Sequence, residues 1–157
     1  IPVGSVGSWD RFNHSLANNP PIPAGDELRF YYGGRTYRHT PYKGKDTGPK
    51  AGGIGLATIK KDRFVSLQAS FDGGAILTKP LKLRGSDLHL NAKSDFGEIL
   101  VEVLDPAGNR IAKSKPIRSD RLDIVVDWES SGFKHVDSPV VLRFTLKNAC
   151  LFAIWCT

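Results

Sequence analysis

The chain has 157 residues, of which 40% are hydrophobic and 24% are charged, the composition of an ordinary globular protein. This length can bury one good core and is short for two independent domains. No apolar run reaches the roughly 18–20 residues that a transmembrane helix needs, so we expect no membrane partner.

The net charge of +6 comes from one basic strip, residues 35–61, because the acidic and basic residues elsewhere balance. We interpret the strip as a solvated linker, with attraction of an anionic polymer as the alternative. Tyr37 and Tyr42 lie among its cations, a mixture that single-strand binders use. No signature of a nucleic-acid-binding fold accompanies them, which argues against nucleic acid as a partner.

The first 42 residues are predicted to form a β-hairpin segment. Turn-forming glycines and prolines dominate residues 1–25, and residues 28–32 then alternate as in a half-buried strand. Gly33-Gly34 is predicted to be a two-residue turn, with Arg35–His39 returning as the partner strand.

A basic Pro/Gly linker is predicted at residues 43–53, followed by an all-β domain over residues 54–157. Apolar and polar residues alternate in five further segments, at 65–69, 88–92, 99–103, 122–128 and 142–146. Such one-sided strands predict an antiparallel β-sandwich, jelly-roll-like in type. The last strand is apolar on both faces and should therefore be central or covered on both sides.

Cys150 and Cys156 fall within that last strand. An extended chain would separate them by about 20 Å, too far for a disulfide. We interpret both as buried thiols that act as small hydrophobic residues, and the redox compartment stays open.

The strings IGLATIKKDRFVSL, ILTKPLKL, SDLHLNAK and GEILVEVLDPAGNRI resemble the β-sandwich that follows a five-bladed propeller in invertase- and levansucrase-like glycoside hydrolases and their bacterial relatives. VGSVGSWDRF and GDELRFYYGG resemble the last propeller blade. The resemblance spans nearly the whole chain and implies an accessory, non-catalytic module. The family's catalytic carboxylates lie in earlier blades, and their motifs have no counterpart here.

Two groups of residues are candidates for sugar binding, because aromatic rings beside polar side chains suit sugars. The first is Trp9, Tyr31, Arg35, Tyr37 and His39. The alternative here is that Trp9, Phe30 and Tyr32 pack the hairpin segment against the sandwich. The second is His89 and Asn91, which alternate with core residues and should project from one sheet. A solvated sheet face is the alternative for this pair.

Other chemistries find no support in the sequence. The four histidines show no metal-binding spacing, so neither a metal nor another cofactor is expected. Asp26-Glu27 follows Gly25, where turn formation explains the aspartate. No nucleophile elbow or phosphate-binding loop occurs, so catalytic residues are predicted to be absent and enzymatic activity is left uncertain.

The sequence thus predicts a non-catalytic, carbohydrate-associated β-sandwich that binds glycan or braces a propeller. The alternatives are a structural module that self-associates through its blade-like strands, or the terminal part of an active glycoside hydrolase. The chain begins without methionine and shows no leader, which says little about compartment. Secretion or a periplasmic location would suit the resemblance.

Overall fold

The computed structural model of the chain describes residues 1–37, 52–130 and 138–157, and within them all regular structure is β. The strands are β1 (Asn13–Leu16), β2 (Ile22–Ala24), β3 (Glu27–Arg35), β4 (Gly52–Lys60), β5 (Leu67–Ala69), β6 (Gly74–Leu77), β7 (Leu88–Lys93), β8 (Glu98–Leu104), β9 (Arg110–Lys113), β10 (Asp120–Val125), β11 (Val141–Lys147) and β12 (Ala149–Cys156). They form two compact units, Ile1–Lys61 and Asp62–Thr157. These ranges contain no helix that could span a membrane.

The N-terminal unit is one antiparallel sheet, called sheet A, built around β3. β4 pairs with β3 along its whole length, while β1 and β2 share the opposite edge of β3. The tight hairpin joins β2 to β3 through Gly25 and Asp26, with Gly25 at a φ of 59°. Glycine suits that left-handed position because it has no Cβ.

The turn predicted at Gly33-Gly34 is wrong, because both residues lie inside β3. Gly34 is needed for space: a Cβ there would lie 2.5 Å from Asp10 Cβ and 2.6 Å from the Trp9 ring. Trp9 also covers Gly53, the neighbour of Gly34 on β4. Gly34 and Gly53, which lie side by side on β3 and β4, therefore leave room for the Trp9 ring, and Gly33-Gly34 does not form a turn.

The boundary between the units also differs from the expected one. The sequence predicts that residues 54–60 belong to the sandwich, but they lie in β4, which pairs with β3 in sheet A. The alternation of apolar residues in this segment is typical of a strand and does not reveal which sheet the strand joins. Gly52 and Gly53 of the expected linker belong to β4 as well, and the part of the linker at 43–51 lies outside the described residues.

The C-terminal unit confirms the predicted antiparallel sandwich. Sheet B has the strand order β10-β7-β12-β5, and sheet C has the order β6-β11-β8-β9. Both sheets contribute to a single core. Its largest fully buried side chains are Phe144, Leu88, Leu90, Ile99, Leu142 and Leu146. The alternation in β7, β8 and β11 directs these residues inward.

β12 is central in sheet B, as its apolar sequence predicted, since it pairs with β7 on one side and β5 on the other. Its register shifts between Leu151 and Ala153, which marks a β-bulge at Phe152. Cys150 and Cys156 are both free and half-buried. Burial raises the pKa of the Cys156 thiol.

The strand predicted at residues 65–69 is shorter than expected and lies at an edge. β5 covers only Leu67–Ala69, and the side chains of Val65 and Leu67 are 78% and 55% exposed. Their alternation indicated a buried face, but an edge strand of three residues leaves that face open.

Candidate functional site

The first predicted cluster is divided between the two faces of sheet A. Trp9 lies on the face of Tyr32 and stacks on that ring, with centroids 5.8 Å apart. Tyr31 and Arg35 lie on the opposite face, because successive residues of β3 point to opposite sides. The expected grouping of Trp9 with Tyr31 and Arg35 is therefore wrong.

Arg35 and Tyr37 do come together, since the guanidinium carbon lies 5.6 Å from the Tyr37 ring centroid. Such a distance permits a cation–π interaction. Tyr31 is 42% exposed on the same face as Arg35. His39, the last member of the predicted cluster, lies outside the described residues.

On the Trp9 face, the Asp10 carboxylate organises the N-terminal segment. It accepts hydrogen bonds from Ser8 Oγ at 2.6 Å and from the Tyr32 hydroxyl at 2.9 Å. These two bonds lower the pKa of Asp10, and the bond to Asp10 raises the pKa of Tyr32. Trp9 and Tyr32 therefore pack the N-terminal segment onto sheet A within its own unit.

His89 projects from the outward face of β7, as predicted, but it is buried. One ring nitrogen, Nδ1, lies 2.7 Å from Asp123 Oδ1, and Nε2 lies 2.8 Å from Thr157 Oγ1. The ring stacks on Trp155 with centroids 5.2 Å apart and is only 9% exposed as a residue. His89 is therefore neither a solvated side chain nor an open sugar contact.

The order hydroxyl, imidazole, carboxylate also occurs in hydrolytic triads. Acyl transfer also needs free hydrogen-bond donors, often backbone N–H groups, to bind an oxyanion. Here the nearby amides of Ser86 and Asp87 donate to the Thr157 carbonyl, at 2.8 and 3.1 Å. We therefore assign the arrangement a structural role, in which it satisfies the buried ring nitrogens of His89.

Asn91 is 2% exposed and is covered by Arg63. The Arg63 Nε group donates to Asn91 Oδ1 at 2.9 Å, and Nη1 donates to Asp120 Oδ1 at 2.6 Å. The guanidinium also lies 4.7 Å from the Phe152 ring centroid. This cluster closes over part of sheet B, so Asn91 is not available to a ligand.

A more accessible site lies at the end of the sandwich where β12 begins. Phe71, in the turn between β5 and β6, and Phe96, in the turn between β7 and β8, are 68% and 77% exposed. They line a groove of about 460 Å³. That volume is within the usual range for small-molecule sites, about 300–1,000 Å³. The remaining lining residues are Asp95, Gly97, Glu98, Arg118 and Lys147.

Asn148 holds the two aromatic turns together. Its backbone N–H donates to the carbonyl of Ser70 at 2.7 Å, in the turn that carries Phe71. Its side-chain amide donates to the carbonyl of Phe96 at 2.8 Å. Asn148 has a φ of 44°, a left-handed conformation that asparagine tolerates. One residue therefore fixes both aromatic walls of the groove.

The polar part of the groove contains both signs of charge. Arg118 Nη2 lies 2.8 Å from Glu98 Oε2, and Asp95 and Lys147 also line the groove. Lys93, which lines the neighbouring smaller cavity, places its Nζ 3.2 Å from Asp95 Oδ1. The hydrogen bond to Asp95 raises the pKa of Lys93. Carboxylates accept hydrogen bonds and guanidinium or ammonium groups donate them, so the groove presents both to a ligand. Phe96 and Asp95 also line a smaller cavity of about 180 Å³.

Sequence reasoning missed this groove, although a signal for it exists. Phe71 precedes Asp72-Gly73, and Phe96 lies between Asp95 and Gly97. Turns lie at the surface, so a large aromatic residue in a turn is exposed. Among the described residues, no group of histidine, cysteine or acidic side chains could hold a metal ion.

No family model, curated protein or solved structure matches the chain.

Proposed function

We propose that the chain is a non-catalytic, carbohydrate-associated β-sandwich protein that binds an oligosaccharide in the groove between Phe71 and Phe96. The observation that carries this proposal is the pair of exposed rings held on either side of a charged groove. The apolar faces of sugar rings stack on aromatic side chains. The hydroxyl groups would then exchange hydrogen bonds with Glu98, Arg118 and Asp95.

The test is a glycan array probed with the full chain, using neutral and anionic polysaccharides at two salt concentrations. Salt-resistant binding to one glycan family would support specific recognition of a sugar in the groove. Salt-sensitive binding to every anion would attribute the signal to the basic strip at residues 35–61 and refute the groove. Silence across the array would refute carbohydrate binding itself.

Substitutions locate the site once a glycan is found. Phe71→Ala and Phe96→Ala should each weaken binding about 2-fold to 13-fold, because an aromatic contact contributes about 0.5–1.5 kcal/mol. Phe64→Ala is the matched control, since Phe64 is 59% exposed in the same unit and does not line the groove. Equal affinities for all three variants would place the sugar elsewhere.

The proposal includes association with a propeller-type glycoside hydrolase, either by binding its glycan or by bracing its propeller. The resemblance in sequence supports this association, and sheet A has four antiparallel strands, the number in a propeller blade. However, β1 and β2 share an edge of β3 instead of following one another as a meander. An upstream reading frame that encodes an acidic propeller pocket would support the association, and an unrelated upstream frame would count against it.

A second candidate function is self-association through the edge of β4. This nine-residue strand has a partner on one side only among the described strands, and its Ile54 is 82% exposed. Long apolar edges pair readily with other chains. Light scattering should then show a dimer that Ile54→Lys disrupts, whereas Ile22→Lys, on the far side of β3, should leave it intact. A monomer at all concentrations would exclude this function.

A further inference from the structure

Sheet B leaves part of its central strand without an outer neighbour. β5 pairs with Ala149–Leu151 only, and Val65 and Ser66, which lead into β5, line a cavity together with Phe152 and Ala153. The part of β12 whose outer edge has no described strand or lead-in segment beside it is therefore residues 154–156. The Leu88 carbonyl accepts a hydrogen bond from Val126 at 2.8 Å, on the β10 side of β7. The backbone groups of Leu88 therefore point away from β12, so Cys156, which lies opposite Leu88 on β12, points its own backbone N–H and C=O away from β7. The same holds for Ile154, because this orientation repeats every two residues.

Two apolar cavities lie along this open edge, and Ile154 lines both of them. One has a volume of about 300 Å³ and reaches the core residues Phe144 and Leu151. The other has a volume of about 340 Å³ and reaches Leu83 and Leu88. A strand added beside β12 would direct alternate side chains between the two sheets. Those side chains would enter these cavities.

Charge also distinguishes the second cavity. Its two charged lining residues, Lys82 and Arg84, are cations, and both are exposed. Within the described part of the chain, neither forms an ion pair. An acidic ligand would therefore meet positive charge at the end of the open edge of β12, near Cys156.

We propose that this edge binds an extended, acidic segment of another protein by adding it as a strand to sheet B. The segment is four to five residues long, pairs with residues 154–156, and runs antiparallel to β12 as β5 does. Its alternate aliphatic side chains fill the two cavities, and its acidic N-terminal end faces Lys82 and Arg84. A strand also satisfies the backbone groups of Ile154 and Cys156, which an alkyl chain would leave to water.

The probe is a synthetic peptide of alternating valine and threonine preceded by two glutamates, with a fluorophore at its C-terminus. Anisotropy with the full chain should show saturable binding, and binding should be at least fivefold weaker for a peptide whose valines are adjacent. A peptide with two lysines in place of the glutamates should also bind at least fivefold more weakly. Equal binding of all three peptides, or no binding at millimolar concentration, would overturn the proposal.

Variants test the charge contacts and the backbone pairing separately. Lys82→Glu and Arg84→Glu should each weaken binding severalfold, whereas Lys79→Glu, an exposed lysine of the same segment that lines neither cavity, should not. Cys156→Pro removes an edge N–H and should weaken binding, whereas Cys156→Ala keeps it. Hydrogen exchange of the unmodified chain provides a further check: bound peptide should slow the amides of Ile154 and Cys156. Binding without that protection would refute strand addition.

Discussion

Arg63 is expected to be the most sensitive polar side chain of the C-terminal unit. Its side chain is 7% exposed and donates four hydrogen bonds: to Asn91, to Asp120 and to the carbonyls of Ala92 and Arg121. Methionine at this position would retain the apolar stem over Phe152 and remove all four donors. The Arg63→Met substitution therefore measures the polar contribution of the guanidinium.

The loss of stability in Arg63→Met depends on the partners, Asp120 and Asn91, that lose their hydrogen bonds. Breaking a buried ion pair costs about 3–5 kcal/mol, but water reaches Asp120, which is 26% exposed, and lowers that cost. Asn91 is 2% exposed, and its Oδ1 atom would lose the hydrogen bond that Arg63 donates, which costs about 1–3 kcal/mol. We therefore expect Arg63→Met to lower the free energy of unfolding by about 2–4 kcal/mol, a large part of the 5–15 kcal/mol typical of a domain.

Amide hydrogen exchange of the core residues Leu90 and Ile99 measures this free energy for the C-terminal unit. The exchange rates should rise about 30-fold to 900-fold, since 1.36 kcal/mol corresponds to a factor of ten. Arg110→Met is the control, because Arg110 is 57% exposed and its pair with Glu102 should contribute less than about 1 kcal/mol. If both variants exchange at similar rates, the Arg63 contacts are screened like a surface pair and the reasoning fails.

Further predictions concern the N-terminal unit. Gly34→Ala should destabilise it by about 1–3 kcal/mol, since a Cβ would overlap Trp9 and Asp10, whereas Gly33→Ala, with 3.9 Å of clearance, should be neutral or stabilising by about 0.4–1 kcal/mol. Thermal unfolding monitored by circular dichroism compares the two, and equal melting temperatures would contradict the packing of Trp9. The lowered pKa of Asp10 stabilises the fold above the unfolded pKa, and this stability is lost as pH falls through the folded value. The free energy of unfolding should therefore decrease below about pH 4, and Asp10→Asn should abolish this decrease. An equal decrease in the variant would refute the role of Asp10. The raised pKa of Tyr32 stabilises the fold below the unfolded pKa near 10, and titration against Tyr32→Phe should show this stability decreasing above that pH.

The sequence predicted the sandwich better than it predicted the sites. Period-two alternation in β7, β8 and β11 identified the buried faces, because that period follows directly from strand geometry. It could not show that Gly33-Gly34 lie within a strand, since a glycine pair suits both a turn and a close approach. Trp9 determines which applies, and it is 25 residues away from Gly34 in sequence.

The same limit explains the errors in the candidate sites. The outward direction of His89 and Asn91 was predicted, but Trp155 and Arg63, which cover them, come from other strands and loops. Burial of an outward-facing residue depends on contacts between distant parts of the chain. The groove between Phe71 and Phe96 likewise exists because Asn148 joins two turns.

The strand topology of the C-terminal unit affects when this unit can fold during synthesis. β11 and β12 are interior strands of their sheets and follow the unit's other strands in the chain. Until they leave the ribosome, β7 can pair only with β10 and β8 only with β9, and two-stranded ribbons are marginally stable. Folding of this unit is therefore expected to begin after its last strands have emerged, which leaves its nascent apolar strands exposed to chaperones meanwhile.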